Sequence, residues 1–222
     1  PADDAPRAPA IRREGTPLRI GFYSPDLQSI HPVAQFFEPV LANLDRDRFH
    51  TTIYSRAQDA DETTARFRAL ARTWRDVDNR SADQIRKSLL ADRFDILVDL
   101  AGHTGDNGLL FFARRMAPAQ VSYIGYPHST GLREMDYIIS DAIVTPPELE
   151  PLFTERVLRP NPCLWVFQPP RQVIVRRPRT RSSGSINFGS LNTASKLSDR
   201  CLALWARILA RCPQADLLLK AG

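Results

Sequence analysis

The chain has 222 residues, of which 43% are hydrophobic and 25% charged, which is enough apolar material for the core of one large or two small domains. No apolar run approaches the roughly 18 residues that a membrane span needs, and the polar residues 1–16 lack the apolar core of a signal peptide, so we expect a cytoplasmic protein. The three cysteines have neither metal-site spacing nor the even number of a disulfide framework.

The net charge is +5, and five arginines lie together within residues 171–181. This arginine strip is interpreted either as a solvated linker or as a surface that contacts phosphate. No signature of a nucleic-acid-binding module accompanies it, so we expect no nucleic-acid partner.

Strands and helices alternate along the first two thirds of the chain, as is typical of a parallel sheet covered on both faces. A helix is predicted at 33–44 with a kink or local break at Pro39. Several strands, such as "DILVDL", are apolar almost throughout, like fully buried parallel strands. Strands are predicted at 18–24, 49–55, 73–77, 94–100, 119–126 and 136–140, and the other helices at 61–72, 81–93 and 108–116.

From Pro146 the sequence becomes proline-rich and irregular, and the alternation then restarts with a strand at 185–191, a helix at 199–212 and a strand at 215–220. We therefore predict an α/β protein with a Rossmann-like domain and the first β-α-β unit of a second one. A single such unit cannot complete a sheet, which indicates a fragment of a longer protein. The predicted segments are a linker at 1–17, a first domain at 18–160, an inter-domain linker at 161–183 and a second domain from 184 to 222.

Three of the four histidines follow predicted strands, and ligands of parallel α/β sheets bind at that edge. His31 either caps the next helix or forms a proton-moving pair with Asp26. His103, in Gly-His-Thr, is either a ligand-binding residue or a hydrogen-bonded loop residue, with Gly102 permitting close approach of a ligand. His128 sits in a polar turn. The spacing of these histidines does not indicate a metal site.

Lys196 precedes a helix that begins near Ser198, and helix N-termini bind anions through free N–H groups, so this position suits a diphosphate. No phosphate-binding GxxxxGK[ST] pattern and no GxGxxG fingerprint is present. The residues alone therefore predict a two-domain α/β enzyme that binds an anionic ligand.

Five motifs in order add a resemblance: S-P-D…H-P-V, G-H-T, A-P-x-Q-V…G-Y-P-x-S-T-G, M-D-Y-I-I-S-D and F-G-S…K. Together they resemble the catalytic region of the O-linked N-acetylglucosamine transferase family, which includes bacterial members and Spindly O-fucosyltransferases, from about residue 18 to 222. The resemblance implies a GT-B fold, a parent protein with tetratricopeptide repeats, and inverting transfer from a nucleotide sugar such as UDP-GlcNAc to Ser or Thr of proteins. It implies no metal and no other cofactor.

The same resemblance implies roles for individual residues. Lys196 is expected to stabilise the leaving diphosphate, and His31 and Asp26 are expected near the reacting centre. The remaining donor-binding residues are expected to be Pro32, His103, Thr104, Gly125, Tyr126, Pro127, Asn192 and Thr193.

Three alternatives to a GlcNAc transferase stay open. The donor could be GDP-fucose, or the chain could be a non-catalytic homologue that binds a nucleotide sugar. The arginine strip could also serve an anion or nucleic-acid binder, which would show a steep dependence of binding on salt. The 222-residue chain alone is expected to be inactive.

Overall fold

The computed structural model describes residues 15–29, 31–57, 60–160, 162–169 and 186–220. The chain divides into two compact units, the first ending at residue 170 and the second beginning at 171. The arginine strip and residues 1–14 of the predicted N-terminal linker lie outside the described residues. Across the described ranges, no helix is long and apolar enough to cross a membrane.

The first unit contains one parallel sheet, and its first five strands alternate with helices, as predicted, whereas the described fifth and sixth strands are joined by a loop. A 3-10 helix, Pro147–Leu152, precedes the last strand. The strands are β1 (Leu18–Ser24), β2 (Phe49–Ser55), β3 (Thr73–Asp76), β4 (Ile96–Asp99), β5 (Ala119–Tyr123), β6 (Tyr137–Ile139) and β7 (Arg156–Leu158), and the helices are α1 (Pro32–Ala42), α2 (Glu62–Leu70), α3 (Ala82–Asp92) and α4 (Leu109–Phe112).

The strand order is β3-β2-β1-β4-β5-β6-β7, and every neighbouring pair is parallel. The direction of chain progression across the sheet reverses between β1 and β4, which makes this the switch point at which such sheets bind ligands. The loops that follow β1 and β4 therefore start side by side.

Each face of the sheet has its own apolar core, because successive strand residues point to opposite faces. Phe22 of β1 belongs to the core under α1 and α2, which contains Phe37 and Phe67. The next residue, Tyr23, belongs to the other core, under α3 and α4, which contains Leu89. Burial on both faces explains why the central strands read as apolar runs.

The helix starts follow from capping side chains. Asp61 accepts a hydrogen bond from the Thr64 N–H at 2.9 Å, and Ser81 forms a capping box with Gln84. Helix α1 continues through Pro39, so a break there is not observed. One missing N–H removes only one helical hydrogen bond, and the buried Phe37 on the same helix still packs against the sheet.

Two predictions in the irregular region and the loops need correction. The proline-rich segment after Pro146 contains β7, which pairs with β6 at the edge of the sheet. The helix predicted at 108–116 is the single turn of α4, because Arg115 takes a positive φ of 41° and leads the chain toward β5.

The second unit is a β-α-β element made of β8 (Asn187–Ser190), α5 (Asp199–Arg211) and β9 (Asp216–Leu219). The two strands are parallel. Ser198 caps α5 by accepting a hydrogen bond from the Cys201 N–H at 3.3 Å. This is the arrangement predicted for the segment.

Candidate active site

The site residues predicted in the first unit lie in three loops at the carboxyl ends of β1, β4 and β5. These strands are consecutive in the sheet and include the switch point. The loop after β1 holds Asp26, His31 and the first helical residue Pro32, the loop after β4 holds His103 and Thr104, and the loop after β5 holds Gly125, Tyr126 and Pro127.

The β1 loop brings Asp26 and His31 together. Nε2 of His31 lies 3.5 Å from Oδ1 of Asp26, and Nδ1 accepts a hydrogen bond from the Val33 N–H at 3.3 Å. The neutral ring must therefore carry its proton on Nε2, facing the carboxylate. His31 therefore both caps α1 and pairs with Asp26, whereas proton transfer by this pair stays a prediction.

Asp26 is the member of this pair that has unused acceptor capacity. Its side chain is 15% exposed, and Oδ2 is buried without a hydrogen-bond partner among the described residues. Burial raises the pKa of the carboxyl, His31 opposes the rise, and the nearby charge of Asp106 adds to it. A buried carboxylate oxygen without a donor is costly, so a hydroxyl or N–H of a ligand would satisfy it.

The β4 loop is built on a buried carboxylate that the sequence analysis did not single out. Asp99 is fully buried and accepts hydrogen bonds from the N–H groups of Gly102 at 2.6 Å and Ala101 at 3.3 Å. Burial raises the pKa of Asp99 to about 6, although these N–H groups and His103 act in the opposite direction. The signal that could have identified Asp99 was a charged residue within the apolar run "ILVDL".

His103 is held by a bond to the neighbouring loop. Its Nε2 lies 2.9 Å from the Thr130 carbonyl oxygen, and its ring meets the Tyr126 ring in a T-shaped contact with centroids 5.3 Å apart. The adjacent Thr104 donates its hydroxyl to the Ala101 carbonyl at 3.0 Å, which closes the turn locally. His103 remains exposed, so the hydrogen-bonded and ligand-binding interpretations are compatible.

The β5 loop turns sharply toward β4. The Gly125 N–H donates to the Tyr123 carbonyl at 2.9 Å across Ile124, whose φ is +67°. A β-branched residue in this conformation is strained, and such strain is concentrated at functional loops.

Two glycines allow the β4 and β5 loops to touch. A Cβ on Gly125 would lie 2.0 Å from the Leu100 carbonyl oxygen, and a Cβ on Gly102 would lie 2.2 Å from Cβ of Tyr126. The close approach expected at Gly102 is therefore made by Tyr126 of the same chain.

The residues 128–131 form the "HSTG" turn, and Glu155 binds the two hydroxyls of this turn. Glu155 is a second buried carboxylate that was not predicted as a site residue. Glu155 accepts hydrogen bonds from the Thr130 N–H and the Ser129 hydroxyl, both at 2.7 Å, and from the Thr130 hydroxyl. Burial alone would raise the pKa of Glu155, but the bonds from Thr130 and Ser129 outweigh it and hold the pKa below its usual value. Ser129 and Thr130 thus shape the loop.

The second unit carries Asn192, Thr193 and Lys196. Thr193 begins a short 3-10 helix, Ala194–Lys196, and its carbonyl accepts the Lys196 N–H at 3.0 Å. All three predicted residues are exposed, and Lys196 lies two residues before the Ser198 cap of α5. This placement agrees with the predicted position of Lys196 before a helix N-terminus.

The described part of the chain contains no cluster of three or more metal-ligating side chains. Cys163, Cys201 and Cys212 are free thiols.

The sequence pattern of glycosyl transferase family 41 matches residues 6–162. A protein from Solanum lycopersicum named as a probable UDP-N-acetylglucosamine–peptide N-acetylglucosaminyltransferase SPINDLY is 37% identical over 209 residues. This match covers 92% of the chain and 22% of the relative. A Caenorhabditis elegans UDP-N-acetylglucosamine–peptide N-acetylglucosaminyltransferase is 32% identical over 152 residues, covering 65% of the chain and 13% of that protein.

Among solved structures, a mutant O-GlcNAc transferase from Thermobaculum terrenum superposes with a TM-score of 0.88 at 37% identity. The match covers 98% of the chain and 41% of that structure. The chain thus spans about a fifth of the length of the SPINDLY relatives that it matches.

Proposed function

The chain belongs to glycosyl transferase family 41, and on this basis we propose that it is part of the catalytic region of a protein O-glycosyltransferase. The proposed reaction transfers GlcNAc from UDP-GlcNAc to Ser or Thr hydroxyls of proteins. The observation that carries the proposal is 37% identity, over 92% of the chain, to a relative named as a probable transferase of this kind. The placement of the predicted site residues at the switch-point edge supports it.

The proposed reaction is a single displacement that inverts the anomeric carbon. The acceptor oxygen forms a bond to that carbon as the bond to the diphosphate oxygen breaks, and the hydroxyl proton must leave. Asp26 is proposed to receive this proton, because its Oδ2 is unpartnered among the described residues, whereas His31 uses Nδ1 to cap α1.

The leaving nucleotide diphosphate needs positive charge and N–H donors. We propose that Lys196 and the start of α5 supply them, within a GT-B architecture and without a metal ion. The support is the exposed position of Lys196 two residues before the capped α5, together with the resemblance of this segment to the family. Pro32, Thr104, Gly125, Tyr126, Pro127, Asn192 and Thr193 are proposed to line the donor site.

Intact-mass spectrometry of a protein acceptor pool tests the proposal. The protein that contains this chain is incubated with UDP-GlcNAc and, separately, with GDP-fucose. A mass gain of one N-acetylhexosamine that is lost in Lys196→Ala supports the proposed reaction, and a gain of one deoxyhexose identifies the fucose alternative. Donor retention without any mass gain supports the non-catalytic alternative instead.

A further inference from the structure

Glu155 begins a chain of hydrogen bonds that runs through Thr130 to His103, at the edge of the sheet that carries the predicted site residues. Its side chain is almost fully buried, and its two carboxylate oxygens accept bonds from Ser129, Thr130 and Thr154. Thr130 is held at both its N–H and its hydroxyl, so its backbone orientation is fixed from two directions. Charge-assisted bonds of this kind are stronger than bonds between neutral groups.

The Thr130 carbonyl determines which nitrogen of His103 carries the proton. It belongs to the peptide that joins Thr130 to Gly131, and the N–H of that peptide donates to Oγ of Ser129 at 3.0 Å. The Thr130 carbonyl oxygen can only accept a hydrogen bond, and it lies 2.9 Å from Nε2 of His103. Nε2 must therefore be the N–H nitrogen, and in the neutral ring Nδ1 keeps a lone pair. No side chain or backbone group in the described ranges donates to Nδ1.

This lone pair lies on an exposed imidazole beside the loop proposed to line the sugar pocket. The rings of His103 and Tyr126 meet in a T-shaped contact, and Tyr126 follows Gly125. A neutral imidazole nitrogen is a hydrogen-bond acceptor, and the groups that a sugar presents to such a nitrogen are hydroxyl donors.

We propose that Glu155, acting through Thr130, fixes His103 as the Nε2–H tautomer and so presents Nδ1 as the acceptor for a hydroxyl of the transferred sugar. Glu155 is then a positioning residue, and His103 contacts the donor directly. This role of His103 rests on the proposed function and extends it, because it names the atom that accepts a hydrogen bond from the sugar.

Long-range proton–nitrogen NMR of the histidine-labelled chain tests the first half without any donor. His103→Gln identifies the His103 signals among the four histidines. The expected spectrum shows His103 protonated at Nε2 and bare at Nδ1. A protonated Nδ1 in the neutral ring overturns the proposal, whatever the protein is found to transfer.

Two matched variants test the role of Glu155. Thr130→Val removes the hydroxyl bond to Glu155 from the residue that holds His103, whereas Thr154→Val removes a hydroxyl bond to Glu155 from a residue that does not hold His103. The first is expected to mix the two His103 tautomers, and the second to leave them unchanged. Equal behaviour of both variants, with folding verified by circular dichroism, overturns the positioning role.

The second half is tested by adding UDP-GlcNAc or UDP to the labelled protein that contains this chain. A shift of the Nδ1 resonance with UDP-GlcNAc but not with UDP is expected, and His103→Phe, whose ring has no acceptor nitrogen, should weaken donor binding about tenfold. Amide shifts without any change at Nδ1 overturn this inference alone. Absence of all shifts counts against the proposed function as well.

Discussion

Oδ1 of Asp26 lies 3.5 Å from Nε2 of His31, while the other ring nitrogen of His31 holds the first turn of α1. The pair is therefore polarised, with the histidine as donor and the carboxylate as acceptor. If Asp26 receives the proton of the acceptor hydroxyl, Asp26→Asn should lower kcat by about 100- to 10,000-fold with little change in donor KM. Steady-state kinetics of the protein that contains this chain measures both quantities. An unchanged kcat would exclude Asp26 from proton transfer.

The acid limb of the pH–rate profile should respond to His31. Only the ionised form of Asp26 accepts a proton, so kcat should fall as the pH drops through the raised pKa of Asp26. His31 lowers that pKa, and His31→Asn removes this effect while keeping an N-cap side chain for α1. The acid limb should therefore move to higher pH in His31→Asn. A shift to lower pH would contradict the arrangement.

Asp99 should make the first unit less stable as the pH rises. Its pKa is about 6 in the folded chain against 3.8 for the free side chain, so between these values the folded state binds more protons than the unfolded state. The contribution of Asp99 to the free energy of unfolding therefore falls by about 3 kcal/mol across this window and stays low above it. Urea unfolding of Asp99→Asn and of the unchanged chain at several pH values measures the difference. A difference independent of pH would show that Asp99 does not titrate there.

Gly125→Ala should destabilise the first unit by about 2 kcal/mol or more, because its Cβ would lie 2.0 Å from the Leu100 carbonyl oxygen and the backbone would have to move. Gly105→Ala is the matched control in the β4 loop. A Cβ there has no heavy atom within 4 Å and the φ is not positive, so the change should be within about 0.5 kcal/mol. Thermal unfolding compares the two, and equal losses would refute the steric argument.

Lys196→Ala should lower kcat by about 100- to 1,000-fold, because the leaving diphosphate would lose its positive partner. Lys196 is exposed, so the melting temperature should not change. Lys196→Arg keeps the charge and should recover part of the rate, although a guanidinium presents that charge in a different geometry. A full rate in the alanine variant would remove Lys196 from the mechanism.

The central strands were predictable because they are buried on both faces, so the apolar run itself marks the element. β1 and β2 occupy the ranges expected for them. β7 was missed because it has three residues at the edge of the sheet, and two of them, Arg156 and Leu158, are exposed, so no apolar run marks it. Its existence depends on pairing with β6, a contact that no local pattern encodes.

The site was predictable only as a set of loops. The histidine-bearing loops could be assigned to one edge because parallel strands end there, but the partner of each side chain could not be assigned. Thr130 and Glu155 are 25 residues apart, and His103 and Thr130 are 27 apart. Buried carboxylates such as Asp99 and Glu155 obtain their roles from these distant contacts.

The hydrogen bonds between Glu155 and the "HSTG" turn also determine at which stage this loop becomes ordered. Its hydroxyls and one N–H are already engaged within the chain, so most of the conformational entropy of the turn is lost when the unit folds and little remains to be lost when a ligand arrives. A donor would then bind to a loop that is already ordered, so the free energy of binding would not be reduced by the cost of ordering that loop.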